Sequence, residues 1–179
     1  MDRRRLGLRR SDVFFIVPDV FTSRLALIHG PSAAFRACAW SVVGALIGGT
    51  LLFTIARLNP SAAAQLFRVF DHIPGISPAL IEAARADVAA HGPAAFFTSA
   101  TAGIPYKVCA LHLALSPVSY ASFLLMSLLA RALRFAAVTT IAVFCQRLFL
   151  HRFSPKARTL IHLAVWTLFY AWYFHAMSV

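Results

Sequence analysis

Charged residues, and acidic ones above all, are scarce in this 179-residue chain. Only 13% of the residues are charged, and six acidic residues stand against 17 lysines and arginines. Hydrophobic residues make up 60% of the chain, which is more than ordinary soluble domains contain. The composition therefore predicts an integral membrane protein.

Cysteine pairs and metal-ligand patterns are also missing. Cys38, Cys109 and Cys145 lie far apart in apolar runs, no CxxC pair occurs, and the seven histidines lack ligand spacing. We therefore expect buried free thiols, no metal site and no cofactor. No serine–histidine or carboxylate pair has the spacing of a hydrolytic site, so we do not expect an enzyme.

The formal net charge of +11 does not indicate a nucleic-acid partner. The arginines cluster at the ends of apolar segments and do not form a basic groove interleaved with stacking aromatics. Such clustering is typical of membrane proteins, in which it sets the orientation of the spans.

Five apolar segments predict an all-α integral membrane fold. Three are long enough to be transmembrane helices, namely 37–56, 118–150 and 159–177. The other two, 13–30 and 94–116, are interrupted by proline and charge. Proline breaks a helix, and irregular backbone at membrane depth needs protein or water around it. We predict that these two segments are re-entrant helical hairpins.

The segment 58–93 is predicted to be an extracytoplasmic connector. The signals Asn59-Pro60-Ser61 and Ser77-Pro78 each predict the start of a short helix. In the second helix, Leu80, Ile81, Ala84 and Val88 share one apolar face, and Gly92 provides a stop.

Positive charge orients the chain. Residues 1–36 carry seven arginines against three acids, and the loop after the second span carries Arg152, Lys156 and Arg158 without an acid. We therefore place the basic N-terminus, 1–12, and this loop in the cytoplasm. The two hairpins then enter from opposite sides, in the inverted-repeat arrangement used by many transporters.

Each hairpin has a charge beside its break. Asp19 follows Pro18, and Lys107 follows Gly103 and Pro105. Asp19 is the candidate coupling acid, because a carboxylate within the membrane is costly and usually functional; the alternative is a headgroup-level cap. Lys107 is the candidate phosphate contact; the alternative is that its side chain snorkels to the interface.

Arg131 and Arg134 share one face of the second span. Two interpretations are open: the guanidinium groups bind a lipid phosphate, or they pair with Asp19 and hold the fold together. His162 and His175 lie near the ends of the third span and are expected at the membrane interface. Small residues at positions 44, 48 and 49 predict close helix packing in the first span.

Several motifs resemble the DedA/VTT superfamily, and more closely its YqaA-like branch. The similarity covers most of the chain, and its motifs are Phe14–Val20, Gly44–Gly49, His91-Gly92, Gly103–Val108 and Ala130–Phe135. The resemblance implies two opposed re-entrant hairpins and a location in the bacterial inner membrane. For the wider superfamily it implies polyprenyl-phosphate flipping or lipid scrambling that supports envelope integrity.

The sequence thus predicts a small membrane transporter or flippase of a phosphate-bearing lipid. Lys107, Arg131 and Arg134 are the predicted substrate contacts. The predicted partners are membrane lipid, a lipid phosphate as substrate, and a proton or another cation as coupling ion. The alternative is a membrane scaffold that transports nothing, in which the charged residues hold the hairpins together.

Overall fold

The computed structural model describes residues 18–73 and 76–177, and every regular element in these ranges is helical. The all-α prediction is confirmed for this part of the chain. The predicted basic N-terminus, 1–12, and the first residues of the predicted first hairpin, 13–17, lie outside the described residues. The α-helices are α1 (Pro18–His29), α2 (Pro31–Leu58), α3 (Pro60–Asp71), α4 (Pro78–His91), α5 (Ala95–Thr101), α6 (Tyr106–Ala114), α7 (Tyr120–Leu148) and α8 (Pro155–Met177).

Two helices, α2 and α7, are long and apolar enough to cross a membrane. They contain 28 and 29 residues, and at 1.5 Å per residue each exceeds the roughly 30 Å of a bilayer core. Only 22% and 11% of their most apolar windows are buried within the chain. A core helix of a soluble protein is mostly buried, whereas these two present apolar side chains such as Trp40, Ile47 and Leu133 outward.

The third predicted span, 159–177, lies within the 23-residue helix α8. This helix is not among the described helices that are apolar enough to cross a membrane. Histidines at 162 and 175 and several tyrosine and tryptophan rings reduce its hydropathy. Among the described helices, two therefore have the length and composition of membrane spans, and the third predicted span is not confirmed.

The connector contains the two short helices that its proline signals predict. Asn59 caps α3 by accepting a hydrogen bond from the Ala62 amide at 3.2 Å. Ser77 caps α4 in the same way, accepting from the Leu80 amide at 3.3 Å. Proline occupies the first turn of both helices, where its missing N–H costs nothing. Gly92, at a φ of +55°, ends α4 in a conformation that favours glycine.

The segment 94–116 folds as two short helices, α5 and α6, joined by a turn. Gly103 has a φ of +75°, and Pro105 is extended and stands at the N-terminal cap of α6. The Ile104 amide donates to the Ser99 carbonyl at 3.0 Å and closes the turn. Most of α6 is buried.

Of the predicted first hairpin, 13–30, the structure describes residues 18–30. Pro18 is the first described residue and the first residue of α1, so the break predicted at Pro18 adjoins residues outside the described part of the chain and stays a prediction. Gly30, at a φ of +81°, separates α1 from α2, which begins at the next residue, Pro31. The first long helix therefore begins six residues before the predicted start at 37.

The described chain forms two compact units. Unit 1 comprises residues 18–41 and 134–166, and unit 2 comprises 42–73, 76–133 and 167–177. Unit 2 contains the larger apolar core, which includes Phe53, Val108, Leu111 and Phe123. The apolar core of unit 1 is small, but five polar side chains are buried there: Asp19, Thr22, Ser23, Thr139 and His162.

Candidate functional site

In unit 1, α1 and α7 place an acid beside an arginine. The Nη2 group of Arg134 donates to Oδ2 of Asp19 at 3.1 Å. The Asp19 side chain is only 3% exposed, whereas that of Arg134 is 40% exposed. The guanidinium therefore compensates a buried carboxylate while part of it stays open to the surroundings. Of the two predicted phosphate-binding arginines, Arg134 has the acidic neighbour that the alternative interpretation requires.

A second polar group of unit 1 joins α1 to α8. The Ser23 hydroxyl lies 2.9 Å from Nε2 of His162, and the indole N–H of Trp166 donates to the same oxygen at 3.2 Å. Ser23 is also 2.6 Å from the main-chain carbonyl of Asp19. His162 is buried, with 6% of its surface exposed. If the residue lies at a membrane interface, as the sequence predicts, its ring is still covered by neighbouring residues.

Sequence reasoning missed this serine–histidine pair. The partners are 139 residues apart, and no local spacing signals a contact over that distance. The serine oxygen serves main-chain and indole partners as well as the histidine, so the arrangement is a hydrogen-bond network that holds α1 and α8 together. A buried proton acceptor next to an ion pair is what this network adds to the predicted site.

In unit 2, the aromatic ring of Tyr106 organises the other predicted cations. The ring lies against Gly49 of α2, where a Cβ atom would stand 2.8 Å from its Cζ. Its hydroxyl is 2.5 Å from the Ser127 hydroxyl, and Phe96 lies at 4.9 Å between ring centroids. The guanidinium of Arg131 lies 3.9 Å above the ring centroid, in cation–π geometry.

Lys107 follows Tyr106 in the first turn of α6 and is exposed. Arg131 lies over the ring of Tyr106, the residue before Lys107, so the two positive charges are near each other. Two cations at a helix N-terminus, whose free amides carry a partial positive charge, make this place favourable for an anion. An arginine held against an aromatic ring also presents its N–H groups with little loss of entropy on binding.

The structure thus divides the predicted site residues between the two units. It brings Lys107 and Arg131 together in unit 2, where Gly103 and Pro105 form the turn before α6. It brings Asp19 and Arg134 together in unit 1, where Pro18 begins α1.

A hydrogen-bonded carboxylate in unit 2 was also missed. Asp87 of α4 accepts from Ser99 at 2.5 Å, from Thr98 at 2.7 Å and from the ring of His91 at 2.7 Å. Burial alone would raise the pKa of Asp87, but these hydrogen bonds outweigh it and lower the pKa below its ordinary value of 3.8. The cluster fastens the connector to α5.

Arg57, which the sequence presents only as one more positive charge, joins the end of α2 to the turn between α6 and α7. Its guanidinium donates to the carbonyls of Ala114 at 2.9 Å, of Val118 at 3.1 Å and of Ser116. Carbonyls at the end of a helix lack partners within the helix, and a cation there also complements the helix dipole. The only sequence signal was a basic residue at the end of a long apolar run.

Comparisons with known proteins gave no match: neither a family model, nor a curated protein, nor a solved structure matches this chain. The described residues form an all-helical structure, and two of its helices could span a membrane. The protein is assigned to a structural class on these two features. Within the described residues, no three His, Cys, Asp or Glu side chains are placed to hold a metal ion.

Proposed function

We propose that this chain is a multi-pass protein of the bacterial inner membrane that moves a phosphate-bearing lipid, a polyprenyl phosphate or a phospholipid, between leaflets. In this proposal α8 is the third span, the pair α5–α6 is a re-entrant hairpin, and the N-terminus is cytoplasmic. The length and outward apolar side chains of α2 and α7 support the membrane location. The motif resemblance to the DedA/VTT superfamily supports the class of substrate.

One observation carries the proposal, namely the convergence of Lys107 and Arg131 at the N-terminus of α6. Two cations that repel each other are each stabilised when a phosphate lies between them. A phosphate has the charge and the acceptor oxygens to satisfy both cations and the first amides of α6. The exposed position of Lys107 gives a lipid headgroup access to this place.

In this mechanism, Asp19 and Arg134 couple the movement of the lipid to the movement of a proton or another cation. Arg134 is partly open, so a lipid phosphate competes with the Asp19 carboxylate for the guanidinium. When phosphate takes Arg134, the buried carboxylate of Asp19 needs a new positive charge, and a proton or another cation supplies it. Lipid movement and cation movement are then linked through one ion pair.

The alternative, a membrane scaffold without transport, is favoured by the same ion pair. Asp19 and Arg134 join α1 to α7 within unit 1, as a purely structural pair would. The scaffold requires only that the two charges be present and opposite. Transport requires each charge at its own position.

Leaflet exchange in reconstituted vesicles tests the proposal. We expect wild-type protein to exchange a fluorescent polyprenyl phosphate between leaflets and a Lys107→Ala/Arg131→Ala variant to lose that exchange. The matched control is Arg152→Ala/Lys156→Ala, which removes the same two residue types from an exposed loop and its flank. Absence of exchange by folded wild-type protein, across several phosphate-bearing lipids, would favour the scaffold.

A further inference from the structure

The interior of unit 1 contains a titratable ring that the proposed lipid contacts leave unused. The His162 imidazole is 94% buried by the residues around it, given its 6% exposure, and its Nε2 lies 2.9 Å from the Ser23 hydroxyl. Its other nitrogen, Nδ1, is buried and has no hydrogen-bond partner among the described residues. Buried polar atoms are nearly always paired, so an unpaired ring nitrogen calls for an explanation.

The hydrogen bonds around Ser23 determine which nitrogen of the His162 ring carries the hydrogen and which has a free lone pair. The acceptor nearest to the Ser23 hydroxyl is the Asp19 main-chain carbonyl, 2.6 Å from Oγ, so the hydroxyl donates its hydrogen there. The Trp166 indole can only donate, so it uses the Ser23 oxygen as an acceptor. With the hydroxyl hydrogen used in this way, the Ser23 oxygen accepts from Nε2–H of His162. This assignment follows from the network, and it leaves the lone pair of Nδ1 as an unused proton acceptor.

The charged groups that face this ring come from two helices. The positively charged Arg24 of α1 lies near the imidazole, and so does the main-chain carbonyl of Val20. Asp19, also on α1, is joined to the network through its main chain and holds Arg134 of α7 through its side chain. On α2, the thiol of Cys38 lies near Thr139 and Asp19.

We infer that Nδ1 of His162 is the proton-binding site of unit 1. A proton added to Asp19 would weaken the ion pair with Arg134, whereas His162 takes a proton without losing its bond to Ser23. Proton binding is favoured when Arg134 is drawn toward an anion, because the positive charge of Arg134 then lies farther from the network and from the Asp19 carboxylate. This coupling role rests on the proposed function; the proton site itself does not.

Trp166 provides a reporter within the network. Its ring centroid is 6.4 Å from that of His162, and a protonated imidazole quenches indole fluorescence more strongly than a neutral one. Trp40 and Trp172 are 74% and 64% exposed, so replacing both by Phe leaves Trp166 as the single tryptophan at little structural cost.

The experiment titrates this single-tryptophan protein in detergent between about pH 4 and pH 9, a range that brackets the ordinary titration of histidine. We expect Trp166 emission to fall with decreasing pH along a one-proton curve. The curve should vanish in His162→Gln and persist in His151→Gln, a control at an exposed histidine. An unchanged curve in His162→Gln, or no transition in the parent protein, would overturn the proton site.

A second variant keeps the test decisive if His162→Gln does not fold. Ser23→Ala removes the oxygen that accepts from Nε2–H, a bond that is stronger to the charged ring. We expect the midpoint to fall by about one pH unit, the size that one hydrogen bond contributes. An unmoved midpoint would contradict the assignment.

Vesicles separate the coupling role from the lipid activity. With a fluorescent polyprenyl phosphate, we expect a pH gradient to drive exchange by wild type, and His162→Gln to exchange without responding to the gradient. Exchange by wild type that ignores the gradient would overturn the coupling role. If wild type exchanges no lipid, the proposed function fails, and the fluorescence titration still decides the proton site.

Discussion

Gly48 and Gly49 are neighbours in α2 with opposite surroundings. A Cβ atom on Gly48 would meet nothing within 4 Å, whereas one on Gly49 would overlap the hydroxyl of Tyr106 and stand 2.8 Å from its Cζ. The sequence predicted close packing at all the glycines of this helix. The structure assigns a close approach to Gly49 and leaves Gly44 and Gly48 in open space.

We therefore expect Gly49→Ala and Gly48→Ala to change the free energy of unfolding in opposite directions. Overpacking against Tyr106 should lower the free energy of unfolding by about 1–3 kcal/mol in Gly49→Ala. Gly48→Ala should raise it by up to about 1 kcal/mol, because alanine is the better helix former. Thermal unfolding in detergent measures both variants, and equal effects would contradict the packing of Tyr106 on α2.

The Asp19–Arg134 pair can be tested by exchanging its charges. Arg134→Gln removes the cation that contacts the buried Asp19 carboxylate at 3.1 Å and should lower the free energy of unfolding by about 3 kcal/mol. The exposed Glu82–Arg85 pair is the matched control, and Arg85→Ala should lower the free energy of unfolding much less than Arg134→Gln does.

The Asp19→Arg/Arg134→Asp variant then distinguishes structure from transport. We expect the swap to regain most of the stability without regaining leaflet exchange, since a phosphate contact needs its cation on α7. A swap that restores both stability and exchange would show that the two positions are interchangeable, contrary to the proposed phosphate contact at Arg134.

At the scale of elements, Arg57 determines how the end of α6 is held. Its three carbonyl acceptors are that of Ala114, the last residue of α6, and those of Ser116 and Val118 in the turn between α6 and α7. We expect Arg57→Lys to lower the free energy of unfolding by about 2 kcal/mol, because an ammonium cannot reach three carbonyls with a planar fork. Arg68→Ala, at an exposed arginine of α3, should stay within about 0.5 kcal/mol. Equal losses of stability in the two variants would contradict this role of Arg57.

The attachment of α4 to α5 through Asp87 should depend on acid. Hydrogen bonds lower the pKa of Asp87 in the folded chain, so the unfolded chain binds its proton first as the pH falls. The stabilisation is therefore complete above pH 3.8 and is lost progressively below it.

Thermal unfolding of wild type and Asp87→Asn between pH 7 and pH 3 checks this dependence. The variant should be less stable than wild type by about 1–3 kcal/mol at neutral pH. The difference should shrink as the pH falls below 3.8, because the unfolded wild-type chain then binds a proton more readily than the folded chain does. A difference that does not change with pH would rule out the carboxylate as the cause.

Elements with local signals were predictable from the sequence. Ser77 and Pro78 begin α4 as its capping chemistry requires, and the apolar face predicted for this helix includes the buried Ala84 and Val88. The first hairpin was not predictable in detail. The sequence did not single out Gly30, whose φ of +81° separates α1 from α2.

At the scale of the whole molecule, composition determines most of what could be foreseen. The two helices that could span a membrane follow directly from apolar length. The contacts of the site do not, because Asp19 and Arg134 are 115 residues apart, and Tyr106 and Ser127 belong to different helices. Sequence reasoning selected Asp19, Lys107, Arg131 and Arg134 by their cost in an apolar environment, and it had no means of selecting Ser23 or His162.

The central claim is that Lys107 and Arg131 bind the phosphate of a membrane lipid. Equilibrium binding to protein in nanodiscs tests it most directly, with a polyprenyl phosphate compared against the same polyprenol without phosphate. We expect the phosphate to strengthen binding by about tenfold or more, and Lys107→Ala/Arg131→Ala to abolish that difference. Equal binding of the two lipids, or an undiminished preference in the variant, would contradict the claim.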